Sequence, residues 1–305
     1  MIRTTTLAPT VLAAALLATS VALAQSPSPY GADDEIGAAN LLTPEVTLKA
    51  SDAIRTGKTY QLAIVVTEQT QGPGNRRMTN TMLPLQATET EAFIDDYAAG
   101  HLSVGTQIDG LGHAIVRGEA YNGHTMGELM GLNGIRKLGV ENIPPIATRG
   151  ILLDIARLKD VDFMKAGEGI TAADLEAAAQ AQGVEIREGD VVLLRTGWME
   201  EMLEKDASGY VNVEPGLLPE GGRWLAERGV VAVGLDVAQM DAIDVPNNYA
   251  RPVHEVLLKD NGVYTLENVN VSELARDEAW EFFFVLGAIR YDGAAQTPVN
   301  PIAIR

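Results

Sequence analysis

The chain has 305 residues, no cysteine, four histidines, and 41 acidic against 23 basic side chains. Without cysteine, disulfides, thiolate metal sites, iron–sulfur clusters and cysteine nucleophiles are excluded. A net charge of -18 argues against nucleic acid or an anionic membrane as partner, since both reward basic surfaces.

In chain order, Arg3 is followed by an uncharged apolar run from Val11 to Ala24 that closes on Ala22-Leu23-Ala24. This pattern predicts a signal peptide over residues 1–24 and export, to the periplasm in a bacterium. The apolar run is too short to span a bilayer. Ser26-Pro27-Ser28-Pro29 reads as an extended spacer. Residues 25–305 are expected to form a single domain, because no Pro- or Gly-rich linker divides them. Asp33 to Ala50 reads as an acidic loop and a short helix, with Thr43 as N-cap and Pro44 at its first position. Thr59 to Thr67 alternates and is rich in branched residues, the pattern of a strand. Gln71 to Arg77 is a loop, and the stretch holding Glu89, Glu91, Asp95 and Asp96 is expected to be a solvated face. Further along, apolar runs at 149–155, 190–196, 229–236 and 281–289 read as buried strands. Helical patterns lie between them at 171–182, capped by Thr171 and Asp174, and at 218–228, stopped by Gly229. Continuous apolar strands alternating with helices predict an α/β fold, a central mixed sheet covered on its faces.

The segment from His101 to His113 carries the densest chemistry. Gln107 and Asp109 lie two apart, on one side of an extended segment, and His113 follows past Gly110-Leu111-Gly112, which reads as a flexible link. An amide oxygen, a carboxylate and an imidazole can thereby converge as half of a divalent-cation site; a polar turn with a hydrogen-bonded His113 is the alternative. His101 and His124 look peripheral, His124 as a solvent-exposed loop residue. Gly229 to Asp236 ends a strand on an acid, yet no G-x-G-x-x-G loop follows. Gly72-Pro73-Gly74 lacks the lysine of a phosphate loop, and no G-x-S-x-G elbow is present. The tryptophans Trp198, Trp224 and Trp280 are expected in the core or at a subunit contact.

The segment resembles the metal-binding motif of the cyclase family, which includes bacterial kynurenine formamidase and isatin hydrolase and has the pattern H-x-x-x-H-x-D-x-x-x-H. Asp109 and His113 stand at its Asp and last His; Ser103 and Gln107 replace its first two. The likeness extends to Asp33–Leu42, Leu138-Gly139 through Thr148-Arg149-Gly150, Pro252-Val253-His254, Leu266-Glu267-Asn268 and Gly293–Ile304. It implies that family's α/β fold with a barrel-like central sheet, and a homodimer or homotetramer. It implies His113 as the catalytic acid–base, with Gln107, Asp109, His254 and Glu267 as metal ligands. His254 and Glu267 would meet from a helix end and a strand across the turn at Asn261-Gly262. With two motif histidines replaced by harder oxygen donors, one ion is expected rather than two, and manganese becomes as credible as zinc. The implied function is an exported hydrolase that opens an amide, lactam, formamide or lactone of a small carbonyl substrate with metal-activated water. Export makes kynurenine formamidase itself the poorer fit. The alternatives are a lactonase or cyclase on another scaffold, or a non-catalytic ligand-binding protein that keeps the fold.

Overall fold

The computed structural model describes residues 28–83, 86–246 and 250–305; the expected signal peptide lies outside them. Among the described residues no helix is long and apolar enough to cross a membrane.

A curled nine-stranded sheet organises the chain. Its strands are β1 (Thr59–Gln61), β2 (Gln107–Asp109), β3 (Ile146–Asp154), β4 (Val191–Arg195) and β5 (Ala232–Leu235). They continue with β6 (Tyr264–Glu267), β7 (Glu281–Leu286), β8 (Gln296–Pro298) and β9 (Ile302–Ile304). The spatial order is β1-β9-β7-β3-β4-β5-β6-β2-β8. The centre, β3-β4-β5-β6, is parallel, and every outer pairing is antiparallel. Alternation within the central strands explains their unbroken apolar sequences. Leu152, Val191, Leu193 and Ala232 enter one core, while Ile151, Leu153, Val192, Leu194, Val233 and Leu235 enter the other. A strand buried on both faces has no polar side to display.

Helices cover the faces. In α1 (Pro44–Ala50) the Thr43 hydroxyl accepts from Val46 N–H, as its N-cap position requires. In α2 (Ala172–Gln182) Thr171 and Asp174 form a reciprocal capping box, and Gly183 ends the helix at φ +68°, a left-handed turn that glycine adopts without strain. A third helix, α3 (Pro219–Ala226), precedes β5.

Two expectations need correction here. The strand expected over 59–67 stops at Gln61: Leu62 N–H goes to Pro301 O and Ile64 N–H to the Thr106 hydroxyl, so the ladder ends and Val65 and Val66 turn outward. The acidic stretch is the solvated face expected, built as two exposed ladders. Met78–Met82 pairs with Asp96–Gly100, and Gln86–Ala87 with Ala92–Phe93, exposing Met82, Phe93, Ile94 and Tyr97. The second correction is the link 110–112, which is a tight buried turn, not a flexible one. His113 N–H bonds Gly110 O, Leu111 is buried, and a Cβ on Gly112 would stand 2.6 Å from Ile135.

Candidate metal centre

The site forms where β6 ends and β2 runs antiparallel beside it. Thr106 anchors the entry to β2, its hydroxyl donating to Asn268 O at 2.5 Å. The register then places Gln107 opposite Glu267 and Asp109 opposite Thr265. Residues two apart share a strand face, so Gln107 and Asp109 are presented together. Asp109 is fully buried; its two oxygens accept from Gln296 Nε2 and the Thr265 hydroxyl, each at 2.7 Å. The turn 110–113 returns His113 toward the same point.

His254 arrives from α4 (Pro252–His254), which continues as a π-helical turn, Glu255–Asp260. Its Nε2 lies 3.6 Å from Asp109 Oδ2 and 3.4 Å from Glu267 Oε1, and its ring centre is 5.8 Å from that of His113. One donor atom each from Asp109, His113 and His254 lies within 4.8 Å of the others, close enough to hold a metal ion. The structure thus brings together all five sequence-derived site residues: Gln107, Asp109, His113, His254 and Glu267.

Two observations bear on whether a cation fits. Gln107 Nε2 donates to Glu267 Oε2 at 2.7 Å, while its Oε1 is buried with no partner. The amide cannot be turned to satisfy it, because its oxygen would then face a carboxylate. An unmet buried acceptor costs about 1–3 kcal/mol, and a cation would relieve it. In addition, Asp109, Asp241 and Glu267 all converge on one imidazole, a concentration of buried negative charge that calls for a positive partner.

The electrostatics follow from this crowding. Burial alone would lower the His254 pKa, but hydrogen bonds to Asp109, Asp241 and Glu267 outweigh it and raise the ring well above its ordinary value. Burial and the Asp109 charge push the Glu267 carboxyl up to about 7, against His254. Burial also works to raise Asp109, yet the charge of His113 and the hydrogen bond and charge of His254 hold it below the usual carboxylate range. For His113, burial is the main effect; with the charges of His254 and Arg76 it overcomes the pull of Asp109 and lowers the ring's pKa. Its ring has no hydrogen bond among the described residues and is available to a ligand.

Asp241, which motif spacing does not reveal, positions His254. Its Oδ2 lies 2.7 Å from His254 Nδ1, and its Oδ1 accepts from Val253 N–H at 2.7 Å. The same carboxylate therefore caps α4 and holds Nδ1–H, leaving Nε2 to face the site. Asp241→Asn is expected to weaken metal affinity about 10- to 100-fold, read by chelator competition; unchanged affinity would exclude this role. Nothing local could have signalled it, since Asp241 lies 13 positions before His254 in the chain.

A cavity of about 510 Å³ adjoins the two histidines, lined also by Ala114, Ile115, Val116, Arg251, Pro252 and Glu255. A larger one, about 790 Å³, shares no lining residue with it and holds the Asp154–Arg195–Glu200 ion pairs. Of the remaining candidates, His101 is exposed as expected. His124 is not the exposed loop residue expected: the loop 120–124 folds back through Ala120 N–H to His124 O and buries it. Asp236 accepts from Thr196 N–H, the Thr196 hydroxyl and Gly197 N–H, so it braces the ends of β4 and β5. Trp198 is core, its Nε1–H donating to Tyr210 O.

A mixed α/β fold carrying a buried histidine–carboxylate cluster at a strand end is the architecture of a recognisable class, and comparison with known proteins specifies it. The model of the Cyclase family (“Putative cyclase”) matches residues 60–242. The crystal structure of a novel cyclase aligns at 33% identity over 91% of this chain and 98% of its own, with a TM-score of 0.81. The chain belongs to the cyclase family. Isatin hydrolase A from Ralstonia solanacearum shares the fold at 20% identity, TM-score 0.61, over 86% of this chain and 97% of its own. An isatin hydrolase bound to the product analogue thioisatinate does so at 17%, TM-score 0.60, over 86% and 98%. No curated protein sequence matches the chain.

Proposed function

We propose that the protein is an exported metal-dependent hydrolase that opens an amide, lactam, formamide or lactone bond of a small carbonyl substrate. The observation that carries this is the convergence of Asp109, His113 and His254 donor atoms beside a cavity sized for a small molecule. The structural likeness to isatin hydrolases and the replacement of two motif histidines by Ser103 and Gln107 shape the details. Gln107 Oε1, Asp109, His254 and Glu267 would hold one divalent ion, manganese or zinc. When bound, such an ion supplies Lewis acidity to a substrate carbonyl.

The chain's own residues do the rest. Asp241 fixes the ring of His254, and the β2–β6 ladder fixes the carboxylates, so the donors need little reorganisation. His113, with a lowered pKa and uncommitted ring nitrogens, is neutral at physiological pH. It accepts a proton from attacking water at a ring nitrogen and returns it to the departing nitrogen or oxygen. Ala114, Ile115, Val116 and Pro252 give the cavity an apolar wall suited to a hydrocarbon or ring portion of the substrate.

The test is to load the purified mature chain with manganese or zinc and assay aryl formamides, isatin-like lactams and lactones. Turnover that chelation removes and added metal restores is expected in at least one bond class. Failure in all three would overturn the hydrolase reading. The specific observation behind the rival, a binding protein, is the same pair, Ser103 and Gln107; ligand binding without any turnover would favour it.

A further inference from the structure

Arg76 is placed unlike the other inward-reaching cations of this acidic chain. Arg149 is paired with Asp190 and Glu281, and Arg195 with Asp154 and Glu200. Arg76 is half-buried, yet no carboxylate pairs with it among the described residues. Its one side-chain hydrogen bond runs from Nη1 to the neutral hydroxyl of Ser103, at 3.0 Å. Ser103 is itself buried and stands where the family pattern has its first histidine, four residues before Gln107. The guanidinium is therefore directed at the segment that leads into the metal centre, near enough for its charge to act on His113.

The backbone holds it there. Arg76 O accepts from Gly72 N–H at 3.0 Å and from Arg77 Nη1 at 3.1 Å, closing the loop 72–76 into a tight bridge. The loop sits against Ser103 and Val104: a Cβ on Gly72 would lie 3.1 Å from Ser103 O. Arg77, next in sequence, also lacks an ion pair among the described residues. The half-buried guanidinium of Arg76 has N–H donors that no carboxylate among the described residues takes up. Its planar fork suits a carboxylate.

We infer that Arg76, oriented by Ser103, is a specificity-determining residue that recognises a carboxylate on the substrate, separate from the bond being cleaved. The substrate class narrows to small carbonyl compounds bearing an acid group, with the acid toward Arg76 and the scissile carbonyl between His113 and the metal ligands. This rests on the hydrolase reading for the direction of the substrate, but not for the anion site itself.

The test uses a matched pair of probes, 2-formamidobenzoate and formanilide, which differ by one carboxylate. Their binding to the metal-loaded protein is measured by calorimetry and their turnover is followed separately. The wild-type chain is expected to prefer the carboxylate probe by about tenfold or more. Arg76→Gln should collapse that preference toward one, and Arg76→Lys should keep part of it, retaining charge without the fork. Comparing ratios cancels what the ion contributes to both probes; metal content measured alongside shows that each variant is folded. A preference that survives Arg76→Gln, or is absent from the wild type, overturns the anion site. Collapse of the preference with no turnover leaves the anion site standing and removes the formamide branch of the hydrolase reading. Turnover of both probes with the ratio untouched does the reverse.

Discussion

Asp109→Ala is expected to empty the metal centre, lowering affinity by about two to three orders of magnitude. Among the described residues, Asp109 is the one carboxylate that is fully buried, groups with both histidines as a set able to hold a metal ion, and is kept ionised by its neighbours. Removing it leaves the Nε2 side of His254 to Glu267, with Asp241 still on Nδ1, and leaves Gln296 Nε2 and the Thr265 hydroxyl without their acceptor. Asp109→Asn separates the two effects: it keeps an acceptor for one of those donors while removing the charge. Elemental analysis of the purified variants, with chelator titration, provides the measurement. If Asp109→Asn carried as much tightly held ion as the wild-type chain, the centre would have to be built elsewhere.

The second large effect concerns His113. His113→Ala is expected to cost about 10²- to 10⁴-fold in turnover, the usual range for a positioned acid–base group, while metal content stays unchanged. Asp109, His254, Glu267 and Gln107 remain to hold the ion, whereas no other described group replaces an imidazole poised to move a proton. Because the His113 pKa is lowered, the neutral ring predominates at physiological pH. Turnover should therefore fall only on the acid side, as the ring takes up a proton below the ordinary histidine range. Loss of the ion in step with activity would make His113 a ligand, a role its distance from the other donors also allows. Undiminished turnover with the ion retained would remove it from the chemistry.

How much of this was legible beforehand depended on where each signal was written. Thr43, Thr171 and Gly183 act through local backbone geometry, so the helices they bound could be read from neighbouring residues. The runs 190–196 and 281–289 are continuous because both faces of their strands are buried, and that too is a local pattern. The short strand Ile302–Ile304 has no such pattern; it exists because β1 and β7 lie on either side of it. The ladder of Met78–Met82 with Asp96–Gly100 was hidden by its exposure, since an exposed ladder needs no apolar alternation. In the site, the period of a strand sufficed to put Gln107 and Asp109 on one face. What no spacing could supply was the partner geometry: Asp241 gripping Nδ1 of His254, or Glu267 turning the Gln107 amide so that its oxygen is left over. Those depend on contacts such as that between Gln107 and Glu267, 160 positions apart in the chain.

That separation has a consequence for timing. The residues proposed as site groups are divided between β2 and its following turn, near residue 110, and the segment from His254 to Glu267. Strands β3, β4 and β5 come between them in the chain, and β2 lies between β6 and β8, both of which follow those strands. A chain still being made holds Asp109 and His113 without their counterparts. On the proposed reading, ion capture would be an event of the finished fold, and the surroundings in which the chain completes its sheet would set which ion it acquires.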